Sequence, residues 1–177
     1  MNFRARNRFT FTCLLVVLLL GPMACSSPKT DEVFIPAGDP SELIAGAGEK
    51  TWKLARRYNG KTRMNMGDCF LSYRQTYRAD GTMQDNAGDY ADCGKTLKGS
   101  WNVTRDEKGH HYIQWQSPML KELMHTDKDS KLFRIQYLDE NEMVLYYRHQ
   151  QFSDKARYIT DIYVPEGLDV KGRDFHW

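Results

Sequence analysis

The side chains best suited to chemistry in this chain are aromatic. Tyr73, Trp115, Tyr137, Tyr147 and Tyr163 recur on separate segments that alternate polar and apolar residues. Rings gathered from several strands can stack on an apolar or sugar-like molecule, while phenol hydroxyls orient it. The same rings can instead simply fill the interior of a small barrel. Tyr146 and Tyr147 are adjacent, so only one of them faces inward. Catalysis has less support. No GxSxG, HExxH or P-loop pattern is present. His110 and His111, on a strand, point to opposite faces and cannot hold one ion together. His125, His149 and His176 stand alone and read as surface histidines. Met64-Asn65-Met66 is too sparse in Met and His for a copper site and reads as an adaptable loop. The expectation is a chain with no catalytic residue, no metal site and no cofactor.

The cysteines speak to compartment. Arg4, Arg6 and Arg8 precede the apolar run Phe11–Leu20, in which Cys13 sits. That run is too short to span a bilayer and has the flanks of a secretory signal. Ala24 then stands directly before Cys25, with Ser26 and Ser27 behind. The arrangement is similar to the lipobox of bacterial lipoproteins, although Pro22 and Met23 depart from its preferred Leu and small residue. The resemblance implies a signal peptide over 1–24, acylation with palmitate at Cys25, and a flexible tether over 25–38. The simpler alternative is an ordinary signal cut near Ala24. Ser26, rather than Asp, after the anchor suggests the outer membrane of a Gram-negative envelope. Cys69 and Cys93 remain in the exported portion, where a disulfide is the default. Closing that loop stabilises a fold by about 3 kcal/mol in the chain-entropy model.

Removing residues 1–24 takes three of the 25 Lys+Arg and none of the 23 Asp+Glu, so a formal charge of +2 becomes −1. A basic nucleic-acid-binding surface is therefore unsupported. The remaining length fits a single domain with a real core.

Elements able to position the rings follow from local signals. Asp39 as N-cap, Pro40 at the first helical position and Gly46 beyond predict a short helix over 40–45. Strands come next. Trp52, Leu54 and Tyr58 keep period two, interrupted by Arg56, up to the Asn59-Gly60 turn. Further strands are expected over 70–78, 82–85, 97–104, 110–116, 132–138, 142–149 and 157–164. Residues 118–124 are ambiguous. Leu120, Leu123 and Met124 share a helical face, yet the neighbouring strands favour a strand. Eight or nine short antiparallel strands make a closed barrel or a sandwich, and a barrel leaves no open edge. Arg56, Lys98, Arg134 and Arg148 argue against a barrel that spans a membrane.

Several motifs then occur in a telling order. Trp52 opens the first strand in TWKLARRYNGK, and Cys69 precedes the next. YRQTYRADGT ends in an Asp-Gly turn, Cys93 follows, and Gly99-Ser100-Trp101 starts another strand. Over residues 50–164 the chain resembles the lipocalin-like domain of secreted bacterial lipoproteins, departing from it at 116–130 and after Pro165. The resemblance implies an all-β fold, a small antiparallel up-and-down barrel of 8–9 strands over 39–165, with Trp52 and Trp101 in the core at its closed end. A polar tail, 166–177, follows. The expected function is non-enzymatic: a lipid-anchored envelope protein with a small apolar or amphipathic ligand lined by Tyr73, Trp115, Tyr137, Tyr147 and Tyr163. The alternative is a filled barrel that contacts another envelope protein. A void of roughly 300 Å³ or more, open at one end, separates the two.

Overall fold

The structure is a computed structural model that describes residues 32–150 and 155–174. The expected signal peptide, Cys25, the tether up to residue 31 and the last three residues lie outside the described part.

Helix α1 (Pro40–Ala45) is followed by β1 (Glu49–Asn59), β2 (Thr62–Arg63), α2 (Asp68–Ser72), β3 (Arg74–Arg78) and β4 (Thr82–Asp85). Then come β5 (Lys98–Arg105), β6 (His111–Gln116), α3 (Leu120–Leu123), β7 (Ser130–Leu138), β8 (Met143–His149) and β9 (Arg157–Pro165). The strands pair in the order β2-β1-β3-β4-β5-β6-β7-β8-β9, and β1 also pairs with β9. That last pairing closes an eight-strand antiparallel barrel, with β2 as an extra short strand on β1. The long β1 makes closure work: Glu49–Lys53 pair with β3, while Trp52–Asn59 pair with β9.

Register shows which loops share an end. Glu49 opposite Arg78 sets α1 beside the β3–β4 turn, and Trp52 opposite Pro165 adds the end of β9. Lys50 Nζ donates to the Glu140 carbonyl at 2.9 Å, so the β7–β8 turn belongs there too. This end is closed. Asp39 accepts the Ser41 N–H at 2.8 Å and starts α1, whose Ile44 and Ala45 are buried. Trp52, fully buried, donates its indole N–H to the Ile44 carbonyl at 2.8 Å. Trp101 donates to the Arg78 carbonyl at 3.0 Å. Ring burial and backbone satisfaction coincide in both. Gly99 has its own reason: a Cβ there would collide with the Gln116 carbonyl oxygen across β5 and β6.

The opposite end carries α2, the segment 86–97 and α3. Cys69 in α2 and Cys93 are disulfide-bonded, tying two of these three pieces together. Residues 120–123 form a helix, not the strand favoured above. Pro118 offers no N–H to a ladder. The Ser117 carbonyl accepts from Leu120 N–H at 3.2 Å, and Met119 and Leu120 accept from Leu123 and Met124. A helical turn sets Leu120, Leu123 and Met124 on the core side together; a strand would split Leu123 from Met124.

Both flanks fold back on the barrel. Phe34, inside the expected tether, packs on the core and meets Tyr137 with ring centroids 5.4 Å apart. In the polar tail, Arg173 donates to the carbonyls of Leu54 (2.6 Å), Leu71 (2.7 Å) and Phe70 (3.2 Å). It thereby supplies donors to the end of α2, where helix carbonyls lack partners.

Candidate binding cavity

Inward positions near the open end are not packed shut. They leave a cavity of about 310 Å³. Its mouth lies between Phe70 of α2, residues 93–95, and Leu123 and Met124 of α3. The barrel contributes Arg57 from β1, Gln75 from β3, Asp85 from β4, Trp115 from β6, Phe133 from β7, Tyr147 from β8 and Tyr163 from β9. One wall is a run of rings: Trp115 and Phe133 lie 4.3 Å apart by centroid, and Phe133 and Tyr147 4.8 Å. Elsewhere the Arg57 guanidinium stacks on Phe70 at 4.6 Å. Such cation–π stacking positions Arg without consuming its N–H donors.

Behind this surface is a buried charge pair. Arg57 Nε donates to Asp161 Oδ1 at 2.7 Å and Arg57 Nη2 to Oδ2 at 2.6 Å, a side-on fork. Asp161 is wholly excluded from solvent. Tyr147 and Tyr163 donate to the same Oδ2 at 2.8 and 3.3 Å, and Arg57 Nη2 also reaches the Tyr147 oxygen at 3.0 Å. Burial opposes the guanidinium charge, but Tyr147 and Asp161 outweigh it and hold the pKa well above its ordinary value. A second carboxylate, Asp85, accepts Ala87 N–H (3.1 Å) and Leu97 N–H (2.9 Å) on Oδ1 and the Tyr73 hydroxyl (3.2 Å) on Oδ2. Burial raises its pKa, and those hydrogen bonds pull the other way.

Gln75 links the two groups. Its amide nitrogen donates to Tyr73 and Tyr163 at 3.1 Å each, and its oxygen accepts the Tyr77 hydroxyl at 3.0 Å. Trp115 donates to the Tyr77 oxygen at 3.1 Å. Burial pushes Tyr73, Tyr77, Tyr147 and Tyr163 upward, so these phenols stay neutral. Each of Tyr73, Tyr147 and Tyr163 therefore gives one hydrogen bond and takes one within the protein. Their O–H donors are committed within the protein rather than held ready for a ligand, the orienting role expected from the sequence. They hold the charges and offer ring faces to the cavity.

His149 also lines it. It is half-buried rather than a plain surface histidine, and burial together with Lys131 and Arg57 drives its pKa down to about 4. His110 lies in the turn before β6 rather than on the strand. It is buried, with Nδ1 3.0 Å from Asp106 Oδ2.

Of the five aromatic candidates, Tyr73, Trp115, Tyr147 and Tyr163 line the cavity. Tyr137 does not. The β7–β8 register shifts between Ile135 and Tyr137, a bulge that adds one residue to β7. Ile135 and Leu138 are consequently both inward, and Tyr137 is turned out against Phe34. A matching shift between Leu54 and Arg56 on β1 buries Ala55 and brings Arg57, not Arg56, inward. Period-two reading missed Arg57 for that reason. It also passed over Asp161, although Ile159, Asp161 and Tyr163 share one phase of an apolar strand. An acid at an inward position is a signal that a buried cation faces it.

No protein-family model matches the sequence, and no curated protein matches it. Several solved structures are similar, two of them as follows. A lipocalin-like protein from Bacteroides uniformis ATCC 8492 shares 14% identity at a TM-score of 0.45, over 69% of this chain and 97% of that one. An uncharacterized protein from Bacteroides eggerthii DSM 20697 shares 12% identity at a TM-score of 0.44, over 66% and 97%. The closed up-and-down antiparallel barrel that the sequence resemblance implied is the fold found.

Proposed function

We propose that this chain is a non-enzymatic binding protein that holds one small amphipathic molecule in the open end of its barrel. The cavity carries the reading. Its volume of about 310 Å³ sits at the lower end of the roughly 300–1,000 Å³ of small-molecule sites. A buried ion pair, Arg57–Asp161, is weak evidence for stability, because well-packed apolar residues usually serve at least as well there. Its place beside a void fits a role in recognition instead. The polar and aromatic lining supports a ligand with an apolar body and one polar end. The signal-like N-terminus supports export and anchoring through acylated Cys25, with the barrel held at an envelope membrane, the outer one by Ser26.

Native mass spectrometry of protein purified from its own host tests the binding reading. A co-purifying small molecule released on unfolding is the expected result. Protein that carries no molecule and takes up no apolar or amphipathic compound from a mixed panel would end it. The anchor is tested separately: Cys25→Ser is expected to move the protein from the membrane fraction to the soluble one, and unchanged membrane retention would remove the lipid.

A further inference from the structure

Resting on that binding reading, we infer that the cavity selects a flat, ring-bearing ligand with one anionic oxygen head, an aryl carboxylate, whose head meets Arg57. The unspent hydrogen-bonding capacity of the lining decides the point. The carboxylate acceptors are already engaged. Asp161 Oδ1 takes Arg57 Nε, and Oδ2 takes Arg57 Nη2 and two tyrosines. Both Asp85 oxygens are engaged, together by three donors. An ammonium head would find Asp161 already paired with Arg57, and at Asp85 it would compete with the Tyr73, Ala87 and Leu97 donors. A polyol needs groups that both give and take, and the O–H donors of the three lining phenols are already committed to Asp85 and Asp161.

Beside the neutral His149 ring, the lining keeps one charged donor. The guanidinium is planar, and its Nε–Nη2 edge is clamped on Asp161, so Nη1 points away from that carboxylate. Arg57 Nη1 makes no hydrogen bond among the described residues, and its side chain lines the cavity. The clamp fixes it before any ligand arrives, which cuts the ordering cost of binding. Lys131 reinforces the sign. Its Nζ lies 5.5 Å from the Tyr147 ring centroid and donates to the Arg148 carbonyl at 3.0 Å. His149, which lines the same end, is held neutral by burial and by the charges of Lys131 and Arg57. The other lining cation, Lys95, is at the rim and pairs with exposed Glu122 at 2.6 Å. Ring shape follows from the wall of Trp115, Phe133 and Tyr147, which suits a flat body better than a coiled chain in so small a volume.

The test is a matched series titrated by calorimetry into the host-made full chain in lipid nanodiscs, with empty nanodiscs as blank. The probes are 2-naphthoate, 2-naphthamide, 2-naphthalenemethanol and 2-naphthylmethylammonium. Naphthoate is expected to bind at least about tenfold tighter than the other three, the factor that one charge-assisted hydrogen bond supplies. In Arg57→Lys that preference is expected to fall below about threefold while naphthalene binding persists. Should this variant not fold, the wild-type series decides alone. Naphthoate bound no more tightly than the amide, alcohol or ammonium overturns this inference and leaves the binding reading standing. No binding by any of the four overturns both.

Discussion

The two ends of the barrel spend similar residues in opposite ways. At the closed end, Trp52 and Trp101 bury their rings and give their N–H groups to backbone carbonyls of Ile44 and Arg78. Both indole N–H groups are satisfied by the backbone. At the open end, Trp115 gives its N–H to a tyrosine, which gives its proton to Gln75, and the chain of bonds runs on to Asp161 and Arg57. Side chains satisfy one another around a space instead of filling it. The closed end is stabilised by packing, whereas the open end is held in shape by a polar network that packing would do without. The difference separates what folds the chain from what equips it to bind.

Trp52→Ala should break the closed end, costing about 3–5 kcal/mol, as large core truncations do. Trp115→Ala should cost clearly less, because one face of that ring already abuts a void and has no packing there to lose. Urea unfolding followed by circular dichroism measures both, and equal losses would erase the distinction between the ends. Asp161→Ala probes the network. It leaves Arg57 buried without its counter-charge, at a cost of about 3–5 kcal/mol. The double replacement Arg57→Met with Asp161→Leu should recover most of that stability but abolish ligand uptake. Recovery of binding along with stability would show that the pair serves the fold alone. Cys69→Ser comes next, at about 3 kcal/mol. Because the bond ties α2 to the segment carrying Lys95, its loss should also raise hydrogen exchange at the cavity mouth more than at α1.

The closed end was also the legible one. Asp39-Pro40, Asp80-Gly81 and Gly99-Ser100-Trp101 are local signals with local causes, such as the Asp80 carboxylate accepting from Thr82 N–H at 2.9 Å. The open end depends on two bulges. Each inserts one residue into a strand and swaps every later side chain to the other face. One hides Arg57 behind Arg56, and the other sends Tyr137 outward. No residue at either bulge announces it, since neither is a glycine. Helix α3 was missed for a different reason: four residues are too few to establish a period, and tertiary burial of Leu120 decides the outcome. The same limit explains why ring types were found but their hydroxyl partners were not.

The smallest expected effect concerns pH and sharpens the comparison most. His149 stands among Lys131, Arg57, Asp161 and His125, and its pKa is lowered from 6.5 to about 4, first by burial and then by the nearby cations. Between those values the unfolded chain binds a proton that the folded chain refuses. Stability therefore falls as pH drops through this window and is restored as pH rises above it. His149→Gln should flatten that slope between about pH 4 and 6.5 without moving the stability at pH 8. The side chain is half exposed, so the change is a modest shift in urea midpoint rather than a collapse. At the closed end, the same scan on Trp101→Phe should leave the acid slope as it is in the wild type. A slope unchanged by His149→Gln would mean that the cations at the cavity mouth do not set the local potential, which would also weaken the case for an anionic head beside Arg57.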